Sequence, residues 1–376
     1  LRSPFMVVLP VNLQCSPREK PSMSARKFCF GLAILVCTGC GEPKTKIVPD
    51  TRLSNSPAIN DTIDEGAITD LSTRLGTRQY NQIDSVLVVK DGTTVFEHYQ
   101  NGYGPTKAHD IASITKSITS LLVGIAIDEG HIPSVDIAVV DFFKETPYAT
   151  SWPEDKRAIT IEHLLTMQHG IDCDDYADPN KERFNRWLRS DDQIASLLKM
   201  PTKGRPGETS VYCTASTQLL QQVIEQSTGQ SIERFASTHL FEPLGIDSFK
   251  WEPASKQRVA MGYGADACPR DIAVLGRMIE QEGKWGDDQI VSSNWLRECF
   301  QPHGTLLGID YGYLWYGEPY SFDDKKIESH LAMGHGGQFL ILFPELQSIV
   351  VITASDYDQQ IDFYQLIQDF IIPVCK

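Results

Sequence analysis

The run Ser113-Ile-Thr-Lys-Ser-Ile-Thr-Ser-Leu-Leu-Val-Gly-Ile-Ala-Ile-Asp-Glu129 reads as one long helix closed by Gly130. Ile118, Leu121, Leu122, Val123, Ile125, Ala126 and Ile127 leave it almost no polar side. A helix apolar all round is buried, so other elements must enclose it. That demands a large core, and 376 residues supply one. With about 300 ordered residues, roughly three quarters of the unfolded surface can be buried. Such a core needs no metal or disulfide to hold it. Apolar residues at 41% and charged residues at 22% are ordinary globular usage. This excludes a disordered chain, a fibrous repeat and a multi-span membrane protein.

The rest of the chain supplies strands at both ends. Ser85–Tyr99 holds two β runs joined through Lys90-Asp91-Gly92, a hairpin signal. Gln338–Phe343 and Ser348–Thr353 are two more, joined at Pro344-Glu345-Leu346. Helical patterns occupy 67–81, Ile161–Met167, Ser216–Ser227 before Gly229, Asp271–Glu282 before Gly283, and Asp356–Phe370. The expected class is α+β: an antiparallel sheet built from both chain ends, with flanking helices and an inserted, mainly helical subdomain. The expected division is 1–39, 40–66 and 67–376, with 113–285 the mostly helical part.

The first of these divisions reads as an export signal with a doubtful extension before it. Met23-Ser-Ala-Arg-Lys27 is a basic start, Phe28–Cys37 an apolar stretch, and Thr38-Gly39 a small-residue exit. Ten apolar residues are too few to span a bilayer. Cys37-Thr38-Gly39-Cys40 resembles a bacterial lipobox, with Cys37 where Leu is usual. That resemblance implies lipidation of Cys40, and a membrane-anchored protein in the cell envelope. Residues 40–66 are polar and read as a tether.

Five cysteines follow the tether: Cys173, Cys213, Cys268, Cys299 and Cys375. An export route permits disulfides, but pairing cannot be read from spacing. Cys173 and Cys213 each flank a motif described below, which would bring them together beside a pocket. None of these five sits in CxxC or near a histidine at zinc spacing, and no HxH or HExxH occurs, so no metal and no cofactor is expected. The formal charge of −15 argues against nucleic-acid binding. Nothing calls for an obligate protein partner.

A serine hydroxyl is a poor nucleophile until a base takes its proton. Gly-x-Ser-x-Gly is absent. Ser-x-x-Lys offers another solution, because positions i and i+3 share a helix face and set an amine beside the hydroxyl. It occurs at Ser24–Lys27, Ser113–Lys116 and Ser196–Lys199. About one such match is expected by chance in a chain of this composition. Only Ser113 opens a long buried helix, where the N-terminus favours developing negative charge. Alone, the pair could equally be an N-cap serine followed by a snorkelling lysine.

Its company decides between these. Ile111-Ala-Ser-Ile-Thr-Lys116 is followed in order by Ile159-Thr-Ile-Glu-His-Leu-Leu-Thr-Met167 with Gly170, Pro206-Gly-Glu208, Val211-Tyr-Cys-Thr214, Pro269-Arg-Asp271 and Gly334-His-Gly-Gly-Gln-Phe339. Over roughly residues 65–372 this order resembles the serine β-lactamase and penicillin-binding superfamily, on its class C and carboxylesterase side. Asp174-Asp-Tyr-Ala-Asp-Pro179 and Tyr212-Cys-Thr-Ala-Ser-Thr217 are similar to stretches of 6-aminohexanoate-dimer hydrolase and its esterase relatives.

The resemblance implies roles. Ser113 would be the acyl-accepting nucleophile and Lys116 would ease its deprotonation. Tyr212 would shuttle protons. A free tyrosine titrates near 10, so it can act near neutrality only beside positive charge, which Lys116 would supply. The backbone N–H groups of Ser113 and Gln338 would form an oxyanion hole. Tyr176, Thr214, His335, Gly336 and Gly337 would contact substrate. Two positions depart from the family's pattern: Thr214 stands where Asn is usual, and His335 where Lys is usual. The implied activity is hydrolysis of small esters or amides through an acyl-enzyme on Ser113. The alternatives are a β-lactamase or D-Ala-D-Ala carboxypeptidase and, from another class, a catalytically idle sensor on the same scaffold.

Overall fold

The computed structural model describes residues 50–54, 64–178, 180–255 and 258–376. The expected signal, Cys40 and most of the expected tether lie outside the described residues. Asp50–Leu53 is docked on the domain rather than free. Leu53 is buried, and Arg52 pairs with Asp271 at 2.7 Å and donates to the Gly245 carbonyl at 2.8 Å.

The main sheet has eight strands: β1 (Ile83–Lys90), β2 (Thr93–Tyr99), β3 (Gly304–Leu306), β4 (Ile309–Tyr311), β5 (Tyr316–Gly317), β6 (His330–Gly334), β7 (Gln338–Phe343) and β8 (Ser348–Ala354). Their order is β2-β1-β8-β7-β6-β5-β4-β3, antiparallel throughout. The first two strands and the last six thus close one sheet around the helical middle of the chain. Asp91 and Gly92 turn β1 into β2 with φ of 49° and 73°. Two successive left-handed residues are what a two-residue hairpin requires to match strand twist. β8 is buried along its whole length and β1 nearly so, because helices cover the sheet.

The predicted buried helix is α2 (Ile114–Asp128), with α1 (Glu65–Leu75) before it and α3 (Gln218–Thr228) and α4 (Pro269–Glu280) after it. α2 packs on β6, β7 and α3, while α4 lies across β1, β7 and β8. Two glycines permit the closest approaches. A Cβ on Gly124 would stand 2.2 Å from the Trp295 ring, and one on Gly276 would stand 2.7 Å from Ile349. The hydroxyls of α2 are all used. Ser117 donates to the Leu314 carbonyl at 2.7 Å and Thr119 to that of Met261 at 2.6 Å. Buried polar groups that are paired cost little, so the helix is enclosed despite its serines and threonines.

Three expectations shift. The helical pattern of 67–81 breaks at Gly76, and Arg78–Tyr80 forms a separate 3-10 turn. The expected last helix starts later, at Phe363: Phe363–Leu366 is α-helical and Ile367–Ile371 continues it as a π-helical turn. The Asp356 carboxylate instead caps a loop through the Gln360 and Ile361 N–H groups, both at 2.9 Å. The helical part extends past 285, through Ser293–Phe300. No helix among the described residues is long and apolar enough to cross a membrane.

Candidate active site

Ser113 sits in the first turn of α2, held by a strained entry. Ala112, with no glycine's freedom, adopts φ 47°, and its N–H donates to the Asp110 carboxylate at 2.7 Å. Such a conformation persists only where the surroundings fix it. Here Gly334 of β6 provides the fit: a Cβ there would stand 2.6 Å from the Ile111 carbonyl and 3.0 Å from the Ala112 Cβ.

One turn on, Lys116 is 2% exposed. Its Nζ donates to Ser113 Oγ at 2.9 Å, to Thr214 Oγ1 at 3.0 Å and to the Gly262 carbonyl at 2.6 Å. Tyr212 Oη donates to Ser113 Oγ at 2.8 Å, and the Lys116 Nζ lies 4.8 Å from the centre of the Tyr212 ring. The structure therefore brings Ser113, Lys116, Tyr212 and Thr214 together. Among the described residues no carboxylate comes within ion-pairing distance of Lys116. Burial accordingly draws its pKa down to about 7, with the negative charge of Asp175 opposing. Burial drives the Tyr212 phenol the other way, above its usual range, and its bond to Ser113 only partly offsets this. The expectation that a cationic Lys116 would bring Tyr212 toward neutrality is thus corrected. Desolvation dominates both groups, and the amine rather than the phenol titrates near neutral pH.

The third motif forms the hairpin between β6 and β7. Gly336 and Gly337 have φ of 88° and 90°. A Cβ at Gly336 would stand 2.7 Å from the Tyr357 ring, and one at Gly337 would stand 2.3 Å from Phe363. No other residue type fits either place. Gln338 opens β7 with its side chain locked into the sheet, donating to the Ala354 carbonyl at 2.6 Å and accepting from the Ala354 N–H at 3.2 Å. His335 packs beside Tyr357, with ring centres 5.4 Å apart. Burial and Lys181 lower the His335 pKa, with Asp356 opposing, so the imidazole is neutral at pH 7.

Tyr176 leans on Tyr212 from outside, with ring centres 5.4 Å apart, and is 49% exposed. The loop carrying it is tied to the Tyr212 segment by a Cys173–Cys213 disulfide with a Cα–Cα distance of 5.5 Å. Replacing both cysteines with alanine is expected to lower stability by about 2–4 kcal/mol, the usual worth of such a cross-link. Urea midpoints of the two forms measure this. His169 stands beside the pair, its Nε2 3.9 Å from Cys173 Sγ. These three side chains form the one metal-like grouping among the described residues. The sulfurs are spent on each other, however, and the Ile171 N–H donates to His169 Nδ1 at 3.1 Å, fixing the proton on Nε2.

Sequence reasoning missed three participants. The Gly262 carbonyl anchors Lys116, a backbone role without a side-chain signature. Asp175 lies between a substrate-contact candidate and a cysteine and carried no signal of its own. Tyr357, 48% exposed beside His335, followed a strand end with nothing to single it out. Of the other two Ser-x-x-Lys matches, Ser24–Lys27 lies outside the described residues. Ser196 falls near the C-terminal end of the short helix Gln193–Leu198.

Comparison with known proteins places the chain in a family and a fold. The family described as Beta-lactamase matches residues 78–366. The chain is 27% identical to the 6-aminohexanoate-dimer hydrolase of Paenarthrobacter ureafaciens, over 72% of each chain. A candidate 6-aminohexanoate-dimer hydrolase of Bacillus anthracis superposes with a TM-score of 0.67 at 19% identity, covering 81% of both chains. The octameric penicillin-binding protein homologue of Pyrococcus abyssi gives 0.60 at 21% identity, over 81% of this chain and 78% of that one. The chain belongs to the Beta-lactamase family and is a serine hydrolase.

Proposed function

We propose that the protein hydrolyses small, uncharged esters or amides through an acyl-enzyme on Ser113. One observation carries this reading: a buried lysine without a carboxylate partner is held 2.9 Å from a serine hydroxyl at the head of a buried helix. A lysine in that state has no stabilising ion pair. Its lowered proton affinity makes it a base matched to neutral pH.

In this reading Lys116, as the free amine, takes the Ser113 proton while Oγ adds to the substrate carbonyl carbon. The Ser113 and Gln338 N–H groups receive the oxyanion. Lys116 then returns the proton by way of the Tyr212 hydroxyl to the leaving oxygen or nitrogen as the acyl bond breaks. Water reverses the sequence to free the acid. Tyr212 relays a proton and stays a phenol on average, as its burial favours. Neutral His335 supports uncharged substrates, because the carboxylate of a β-lactam or peptide terminus would meet no full positive charge there. Thr214 is occupied by Lys116 and offers no amide to an acylamino side chain. The Met23–Gly41 run supports placing the enzyme on the periplasmic side of the bacterial cell envelope, anchored through a lipid on Cys40.

Covalent capture tests the chemistry. A fluorophosphonate ester should add one phosphonyl group, found by mass on the peptide carrying Ser113, and Ser113→Ala should take up none. Addition at another serine, or no addition to the parent protein, would overturn the reading.

A further inference from the structure

Asp175 is a half-buried carboxylate with no part in the acyl-transfer steps, yet it touches the segment that carries them twice. Its backbone N–H donates to the Tyr212 carbonyl at 2.9 Å, and its Oδ2 accepts from the Thr214 N–H at 2.9 Å. These bonds bracket Tyr212-Cys213-Thr214 from both ends. The disulfide adds a third tie between the same two segments. We infer that Asp175 is a positioning residue with two tasks: it fixes the Tyr212–Thr214 segment against Ser113, and its charge sets the proton affinity of the Lys116 base.

The second task follows from what surrounds Lys116. The Tyr212–Thr214 segment contributes a phenol and a hydroxyl, and the Gly262 loop contributes a carbonyl. Tyr176 and Tyr311 stand beyond Tyr212 as further phenols. Among the described residues Asp175 is the carboxylate whose charge bears on the lysine: its Oδ2 holds the N–H of Thr214, whose Oγ1 accepts from Lys116 Nζ, and the charge so placed raises the proton affinity that burial lowers. Burial also raises the pKa of Asp175, while the Thr214 bond and Lys116 hold it down. Burial outweighs them, so the pKa is raised overall, and the Thr214 N–H is the contact that favours the anionic form. Without it, Lys116 would lose its proton at lower pH and be the free amine over a wider range.

This inference rests on the acyl-transfer reading, so the test separates the two. The rate of fluorophosphonate addition to Ser113 is measured between about pH 5.5 and 8.5, across the range where a perturbed amine titrates. The parent protein should show an acid limb with its midpoint at about 7. Asp175→Asn keeps an acceptor for the Thr214 N–H and removes the charge. Its acid limb should move down by about one pH unit, the usual effect of losing one nearby charge. The ratio of the rate at pH 6 to that at pH 8 should then rise by up to about tenfold. Asp175→Ser, smaller and also neutral, should show the same displacement, and covers the case in which the Asn variant does not fold. Asp175→Glu keeps the charge and should leave the limb near its parent position. A purely structural role would lower the rate equally at every pH. An unmoved limb in the neutral variants, with Ser113 still modified, would overturn the inference alone. Failure to modify Ser113 in the parent protein would overturn the hydrolase reading and this inference with it.

Discussion

Replacing Ser113 with alanine should reduce ester turnover by about 10^4-fold or more, the scale on which removing a nucleophile acts. Ser196→Ala should leave turnover unchanged. Both serines stand three residues before a lysine, so the comparison isolates place from motif. Ser113 enters the first turn of a helix enclosed on every side, and its hydroxyl receives two hydrogen bonds, from Lys116 and Tyr212. Ser196 lies near the C-terminal end of a short helix, where the peptide dipoles oppose negative charge. Steady-state rates of both variants on p-nitrophenyl butyrate, with melting temperatures to confirm folding, decide the matter. Equal loss in two folded variants would sink the assignment of Ser113.

The second large effect concerns substrate. At about pH 7.5, kcat/KM for p-nitrophenyl butyrate should exceed that for a chromogenic cephalosporin by about tenfold or more, the scale set by one missing charged contact. The cephalosporin carries a carboxylate, and His335 at the matching place has its pKa lowered by partial desolvation and by the positive charge of Lys181, with Asp356 opposing. The proton that would attract an anion thus arrives at lower pH than on a free histidine. Activity on anionic substrates should therefore gain little between pH 7.5 and 6.5. A tenfold preference for the cephalosporin would make β-lactam hydrolysis the leading reading.

Most of this candidate site was legible through the ordered motifs that carry the family resemblance, and some of its parts have a local signature as well. Ser113 and Lys116 are one turn apart on a helix whose apolar faces announce its burial. The paired glycines at 336 and 337 announce a backbone that no side chain can join. The hairpin at Asp91-Gly92 and the closing strands showed through turn chemistry and runs of β-branched residues. What stayed hidden lacks such signatures. β3, β4 and β5 are two or three residues long and owe their existence to neighbours across the sheet. The first part of the final helix gave way to a loop because Asp356 had backbone partners that periodicity does not register. The balance of charge between Lys116 and Tyr212 was misjudged for a related reason. Residue types reveal which charges can exist, whereas only enclosure decides which of them do.

The sheet has a further consequence, for the order in which the chain can become a protein. β1 pairs with β8, and the Ser85 and Thr353 hydroxyls that meet at 2.7 Å are 268 residues apart. Loop closure of that length comes late, since its entropy is lost before any contact rewards it. During synthesis, β1 and β2 emerge before the other strands of the sheet, with one edge open. That edge is apolar and unprotected until β8 arrives, which makes it the segment most prone to pair wrongly. The nucleophile's strained entry depends on Gly334 of β6, so the Ser113 turn takes its working shape only when the last strands close. The chain is therefore built to remain chemically silent until its end is in place.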